Sequence, residues 1–221
     1  MNTSKTLSVL TGIYAILFIT LAINPLDRQT WFVENVTVWI ILGVIWFLRY
    51  KGITFSSTAY ILMFVLLYLH TIGGHYTFEK VPFGWVTDTF GFARNHYDRI
   101  AHFSVGLYAY GILEWIHRKN MVSRKFILYT YPIFVIASIA MTYELIEWIY
   151  AAFAAPEAGA AYLGSQGDIW DAQKDMLADT LGAIVAVIVY AVFPGHKNVA
   201  NGDQSVKVQS ENQNIDCRKM K

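Results

Sequence analysis

The chain has 221 residues, 55% of them hydrophobic and 15% charged, with a formal net charge of +1 at pH 7. An ordinary soluble domain carries about 25% charged residues, so this chain has too little polar surface to cover itself in water, and lipid is the expected solvent for much of it. A lone cysteine, Cys217, excludes an intrachain disulfide framework, and the basic residues form no dense stripe of the kind that binds nucleic acid.

Six segments reach the ~20 mostly apolar residues that a membrane span needs: roughly 7–24, 31–49, 56–73, 98–117, 126–149 and 172–193. Backbone groups must pair internally in lipid, and the short alternating strands of a barrel are missing. The expected fold is therefore all-α: a polytopic membrane helical bundle of about six transmembrane helices. The first segment follows Lys5 like a signal peptide but has no small-x-small cleavage site before Asn24-Pro25, so it reads as a retained span.

An even number of spans puts both termini on one side. Assigning them to the cytoplasm with the 50–55 and 117–125 loops places twelve Lys and Arg inside, against Arg28, Lys80, Arg94, Arg99 and Lys174 outside. That bias predicts an N-in/C-in topology. Of the acids, only Glu114, Asp203, Glu211 and Asp216 fall inside, which leaves the outer face strongly acidic. Residues 1–195 read as one transmembrane domain with a structured outer loop at 73–97. The polar stretch 196–221 reads as a disordered cytoplasmic tail.

The 73–97 loop mixes glycines, aromatics and ionisable groups, among them His75 and Glu79. It reads equally as a folded or partly re-entrant cap on the helix ends and as an interfacial loop anchored by its aromatics. Next come Arg94, Asp98, Arg99 and His102. Asp98 and His102 share a helix face at i, i+4, with His102 about 6 Å deeper. Such a pair binds a metal, orients a catalytic imidazole, or simply satisfies itself inside the bundle. Near the outer end of span five, Glu147 can snorkel to water. Glu144 lies deeper, where an unpartnered charge is costly.

The last span carries Asp168, Asp171, Asp175 and Asp179, stepping by three, four and four. At ~100° per residue they share an arc of roughly 80°, which Gly182 and Ala186 continue. An acidic stripe above small residues predicts a face turned into the bundle, where small residues let helices approach closely. Asp168 suits an N-cap with Asp171 as the acid of a capping box, whereas Asp175 and Asp179 lie too deep to cap.

Four ordered motifs, at 73–84, 94–102, 143–148 and 166–175, resemble those of the YjdF-like family of predicted bacterial inner membrane proteins, over about residues 10–195. The resemblance implies a bacterial plasma membrane protein and brings no established reaction. A weaker resemblance, to VanZ-like membrane proteins, rests on Asp98, His102, Asp175, Asp179 and Gly182 and implies an envelope-related role.

Two function classes fit. In the first, the outer acids and imidazoles form the site of a metal-dependent enzyme on a lipid-linked or periplasmic substrate. Its catalytic candidates are Asp98, His102, Glu144, Asp175 and Asp179. Its metal-ligand candidates are His75, Glu79, Asp175 and Asp179, and Arg94 and Arg99 are candidates to bind a substrate phosphate. No His-Glu-x-x-His, P-loop or serine-nucleophile motif accompanies them. In the second, the same groups serve proton- or cation-coupled transport or binding, although few ionisable groups lie in the inner half of the spans. A third, structural reading pairs the acids with Arg94, Arg99 and Lys174, but twelve outer acids exceed five outer bases. The sequence sets no oligomeric state.

Overall fold

A computed structural model describes residues 3–153 and 165–193, and among these every regular element is a helix. In chain order they are α1 (Thr3–Leu21), α2 (Arg28–Tyr50), α3 (Ser57–Tyr76), α4 (Gly84–Phe90), α5 (Tyr97–Gly106), α6 (Tyr108–Arg118), α7 (Lys125–Phe153) and α8 (Asp171–Val192). The 196–221 tail lies outside the described residues.

Five helices, α1, α2, α3, α7 and α8, are long and apolar enough to cross a membrane. The expected fourth span, 98–117, is two short helices end to end. Leu107 tightens the junction, its N–H donating to Ser104 O at 3.2 Å, and Tyr110 N donating to Leu107 O at 3.2 Å. These i to i+3 bonds are the local 3₁₀ type. The cause lies on the facing helix: a Cβ on Gly106 would collide with the backbone of Asp179 and Ala183, and one on Gly182 with the Phe103 carbonyl. Apolar burial drives little association inside lipid, so such backbone-to-backbone packing carries much of the helix pairing.

Around this contact α8 packs on α5, α6 and α7, while α3 joins α5 and α6 to α1 and α2. The buried face of α8 runs Asp171, Asp175, Asp179, Gly182, Ala183, Ala186, Val187 and Tyr190, the acid-over-small stripe read from the sequence. Outward faces stay apolar, with Ile16, Phe47 and Phe134 well exposed, as suits helices solvated by lipid.

The third span runs one turn further than expected. Gly73, Gly74 and His75 belong to α3, and the chain leaves it at Thr77 and Phe78 with φ of 56° and 51°. The glycine pair explains the exit. A Cβ on Gly73 would strike the Phe78 ring, which folds back over the helix, and one on Gly74 would lie 3.1 Å from Glu34 Cβ on α2.

Near the basic end, Glu114 on α6 is 1% exposed. Its carboxylate accepts Ser56 N at 2.7 Å, Ser56 Oγ at 2.5 Å and Arg118 Nη1 at 3.3 Å. Arg118 Nη1 also donates to Thr54 O at 2.7 Å. Ser56 is the N-cap of α3, so the carboxylate sits at the positive end of that helix.

Candidate functional site

The acidic end is assembled by the sequence motifs meeting one another. Asn95 Nδ2 donates to the carbonyls of Glu79 and Val81 at 3.0 and 2.8 Å, and Gln166 Nε2 donates to Asn95 O at 3.2 Å. Tyr97 OH donates to Leu69 O at 2.8 Å. These bonds fasten the segment after α3 and the segment before α8 to the head of α5.

Below this clasp lies a layer of ion pairs. Asp171 Oδ1 accepts from Arg94 Nη1 at 2.6 Å and from Arg99 Nη2, while Arg99 Nη1 binds Asp175 Oδ1. Asp168 Oδ2 accepts Lys174 Nζ at 2.6 Å and lies 3.7 and 3.6 Å from Arg94 and Arg99. The two guanidiniums, read from sequence as phosphate receivers, are already engaged by carboxylates and only 9% and 13% exposed. To receive a phosphate they would have to leave those partners.

The capping expectation is corrected here. The N-cap position of α8 is Trp170, with no side-chain cap bond. Asp168 instead closes a turn just before the helix, its Oδ1 accepting Trp170 N at 3.1 Å, and Asp171 serves the arginines. The Lys174 bond, followed by the Trp170 bond, holds the Asp168 carboxyl below its ordinary value of 3.8. Burial, then the charges of Arg94, Arg99 and Lys174, pull the His96 imidazole below its usual 6.5.

One turn deeper is His102, held from both sides. Its Nδ1 lies 3.2 Å from Asp179 Oδ2, and its Nε2 lies 3.8 Å from both Asp98 Oδ1 and Asp175 Oδ1. Asp98, His102 and Asp175 bring potential ligand atoms within 4.8 Å of one another. Asp179 Oδ1 is buried with no hydrogen-bond partner, and so is Glu144 Oε1. Of the residues read from sequence, Asp98, His102, Asp175 and Asp179 therefore come together, and Glu144 stands on α7 next to Tyr143, whose ring lies 6.4 Å from that of His102.

His75 and Glu79 do not join them. His75 Nδ1 lies 2.7 Å from Leu21 O, and Glu79 pairs with Lys80 at 3.6 Å. A cavity of about 140 Å³ opens beside His102, and it admits two acids that sequence reasoning had passed over. Glu34 on α2, 8% exposed, pairs its Oε2 with His70 Nε2 on α3 at 3.1 Å. Glu147, read as free to snorkel to water, lines the same cavity. The available signal for Glu34 was an acid one turn inside an apolar span.

A family model described as "Predicted membrane protein (DUF2238)" matches residues 6–195. The inner membrane protein YjdF of Escherichia coli (strain K12) is 34% identical over 195 residues, covering 87% of this chain and 90% of that protein. Both findings bear out the YjdF-like resemblance read from the four motifs. No solved structure matches.

Proposed function

Because the chain belongs to the DUF2238 family of predicted membrane proteins, we propose that it is a multi-pass protein of the bacterial inner membrane whose outer acid–imidazole cluster holds a divalent cation and works as a metal-dependent enzyme on a lipid-linked or periplasmic substrate. The observation that carries this reading is the posture of His102. Asp179 grips Nδ1 and leaves Nε2 directed at the gap between Asp98 and Asp175, the carboxylate–histidine–metal arrangement that fixes tautomer and ring orientation. Ligands at ~2.1 Å from one ion stand roughly 3–3.5 Å apart, so the 3.8 Å separations from His102 need to close by about half an ångström, and the three ligand atoms, now within 4.8 Å of one another, must draw together around the ion.

Charge favours the same reading. Arg94 and Lys174 are taken up by Asp171 and Asp168, Asp175 Oδ1 is shared between Arg99 and the gap beside His102, and Asp98 and Asp179 flank His102 with no Lys or Arg ion pair among the described residues, Glu147 lining the adjoining cavity. A cation offsets that excess. Two carboxylates and one imidazole suit Mn²⁺ or Zn²⁺, and a bound ion would supply an activated water or polarise a substrate oxygen. Arg99 fixes Asp175, Asp179 orients His102, and the Glu34–His70 pair can hold or move a proton across the cavity.

That pair also supports a proton- or cation-coupled transport reading. The enzyme reading is preferred because, among the described residues, the space between α2 and α6 that lies below the cavity has no acid, base or histidine on its walls apart from Tyr108, whose hydroxyl is committed to Met63 O at 2.9 Å. The test is elemental analysis of detergent-purified wild type beside an Asp98→Asn/His102→Gln variant of unchanged melting behaviour. Near-stoichiometric divalent metal in the wild type, reduced at least tenfold in the variant, is expected. No metal in either after incubation with Mn²⁺ and Zn²⁺ sinks the metal reading.

A further inference from the structure

A second space adjoins the acidic cavity. Beneath it lies a cleft of about 380 Å³ between α2 and α6, walled by Val44, Leu48, Met63, Ile112 and Trp115 among others, with no charged side chain among the described residues. Ile41 borders both spaces. Three helices step from one to the other in single turns: Glu34, Val38, Ile41, Val44 and Leu48 on α2; His70, Leu66 and Met63 on α3; and His102, Val105, Tyr108 and Ile112 along α5 and α6. The two spaces follow one another along these three helices, the first acidic and toward the outer end, the second apolar and below it.

The apolar space opens to lipid, since Ile40 and Val44 on its α2 wall are 61% and 49% exposed. From Glu34 to Leu48 the wall covers ~21 Å along the helix axis, more than the ~15 Å half-thickness of a hydrocarbon core. One acyl chain of an outer-leaflet lipid fits that length and enters sideways. The acidic cavity specifies the headgroup. Glu34 and Glu147 face it from different helices, with Asp98 and Asp179 on the inner wall. Among the described residues no Lys or Arg lines it; His70, which pairs with Glu34, and His102 do, beside Phe78 and Tyr143. Acids beside aromatic rings are the chemistry that recognises an ammonium.

Building on the reading of this cavity as the ligand's polar site, we propose that the cleft binds a membrane lipid with an amine-bearing headgroup, its ammonium among Glu34 and Glu147 and one acyl chain between α2 and α6. The ligand is therefore an amphiphile taken from the bilayer and not a free periplasmic solute.

The test uses the full chain in maltoside micelles doped with photoactivatable phosphatidylethanolamine carrying a diazirine midway along one acyl chain, beside phosphatidylglycerol with the same chains. Cross-links are expected on peptides spanning 40–48 and 108–115, at least fivefold more from the ethanolamine lipid. Val44→Trp, at an exposed position, should cut that labelling at least fivefold with metal content unchanged. Glu34→Gln should bring the two lipids within twofold. Equal labelling by the two lipids, or labelling of these peptides unchanged in Val44→Trp, overturns the proposal. Metal content is read on the same samples. Metal-free protein that still shows the lipid preference defeats the metalloenzyme reading alone, and metal-bound protein without cleft labelling defeats the lipid proposal alone.

Discussion

Two polar clusters are built into this bundle, and they differ in how completely their charges are answered. At the basic end one carboxylate, Glu114, has both oxygens bonded, to Ser56 and Arg118, and ties α6 to the start of α3. At the acidic end the carboxylates outnumber the cations near them, and Asp179 and Glu144 each keep a buried oxygen without a partner. A satisfied buried network rigidifies a fold, whereas an unsatisfied one costs stability and persists where something else requires it. The first cluster reads as a fastening and the second as a place for a ligand.

That contrast breaks most sharply at Glu114. Removing it in Glu114→Ala takes away the carboxylate beside Arg118 and leaves the Ser56 N–H without its acceptor, and should cost about 3–5 kcal/mol. A melt read by tryptophan fluorescence checks this, and cation binding at the other end should survive in the folded fraction. Gly182→Val comes next. Its side chain would meet the Phe103 carbonyl and should cost about 1–3 kcal/mol. Here stability and outer-site affinity should fall together, because Asp179 and His102 lie on the two helices being forced apart.

At Glu144 the sign reverses. Glu144→Gln replaces a carboxyl whose buried Oε1 has no hydrogen-bond partner among the described residues, and should raise metal-free stability by about 0.5–2 kcal/mol. A lowered melting temperature there would erase the contrast with Glu114. The smallest effect belongs to Lys174→Met, at a pair whose lysine is 51% exposed. Asp168 is held below its ordinary 3.8 by that lysine, so the pair's contribution is present above about pH 4 and fades as pH falls through the folded value. The melting difference between wild type and Lys174→Met should be small at pH 6 and shrink further toward pH 2.

Much of this was legible in the sequence because lipid makes strong demands on composition. The spans, the acid-over-small stripe of α8 and the Asp98/His102 face follow from hydropathy and helical period alone. The break at Leu107 was not legible, because it arises from α8 pressing on Gly106, a contact between residues far apart in the chain. His75 and Glu79 were grouped with the site for lying near it in sequence, but His75 lies within α3 against Leu21 O at the end of α1, and Glu79, past the exit at Thr77, pairs with Lys80. Glu34 stayed hidden as a single acid with no motif around it. Its partner His70 is a helix away, and only packing joins them. A structural pairing of the outer acids with Arg94, Arg99 and Lys174 was the third of the readings open in the sequence, with no particular acids assigned to it. What the sequence withheld was that this pairing occupies just one layer, with an unanswered group of acids beneath it.

Cation binding by the layer beneath the arginines is read directly by calorimetric titration of Mn²⁺ and Zn²⁺ into purified, chelator-treated wild type, Glu114→Gln and His102→Gln. Near-stoichiometric binding is expected in the first two and none in His102→Gln at matched stability. Absence of binding in the wild type, or binding undiminished in His102→Gln, would contradict it.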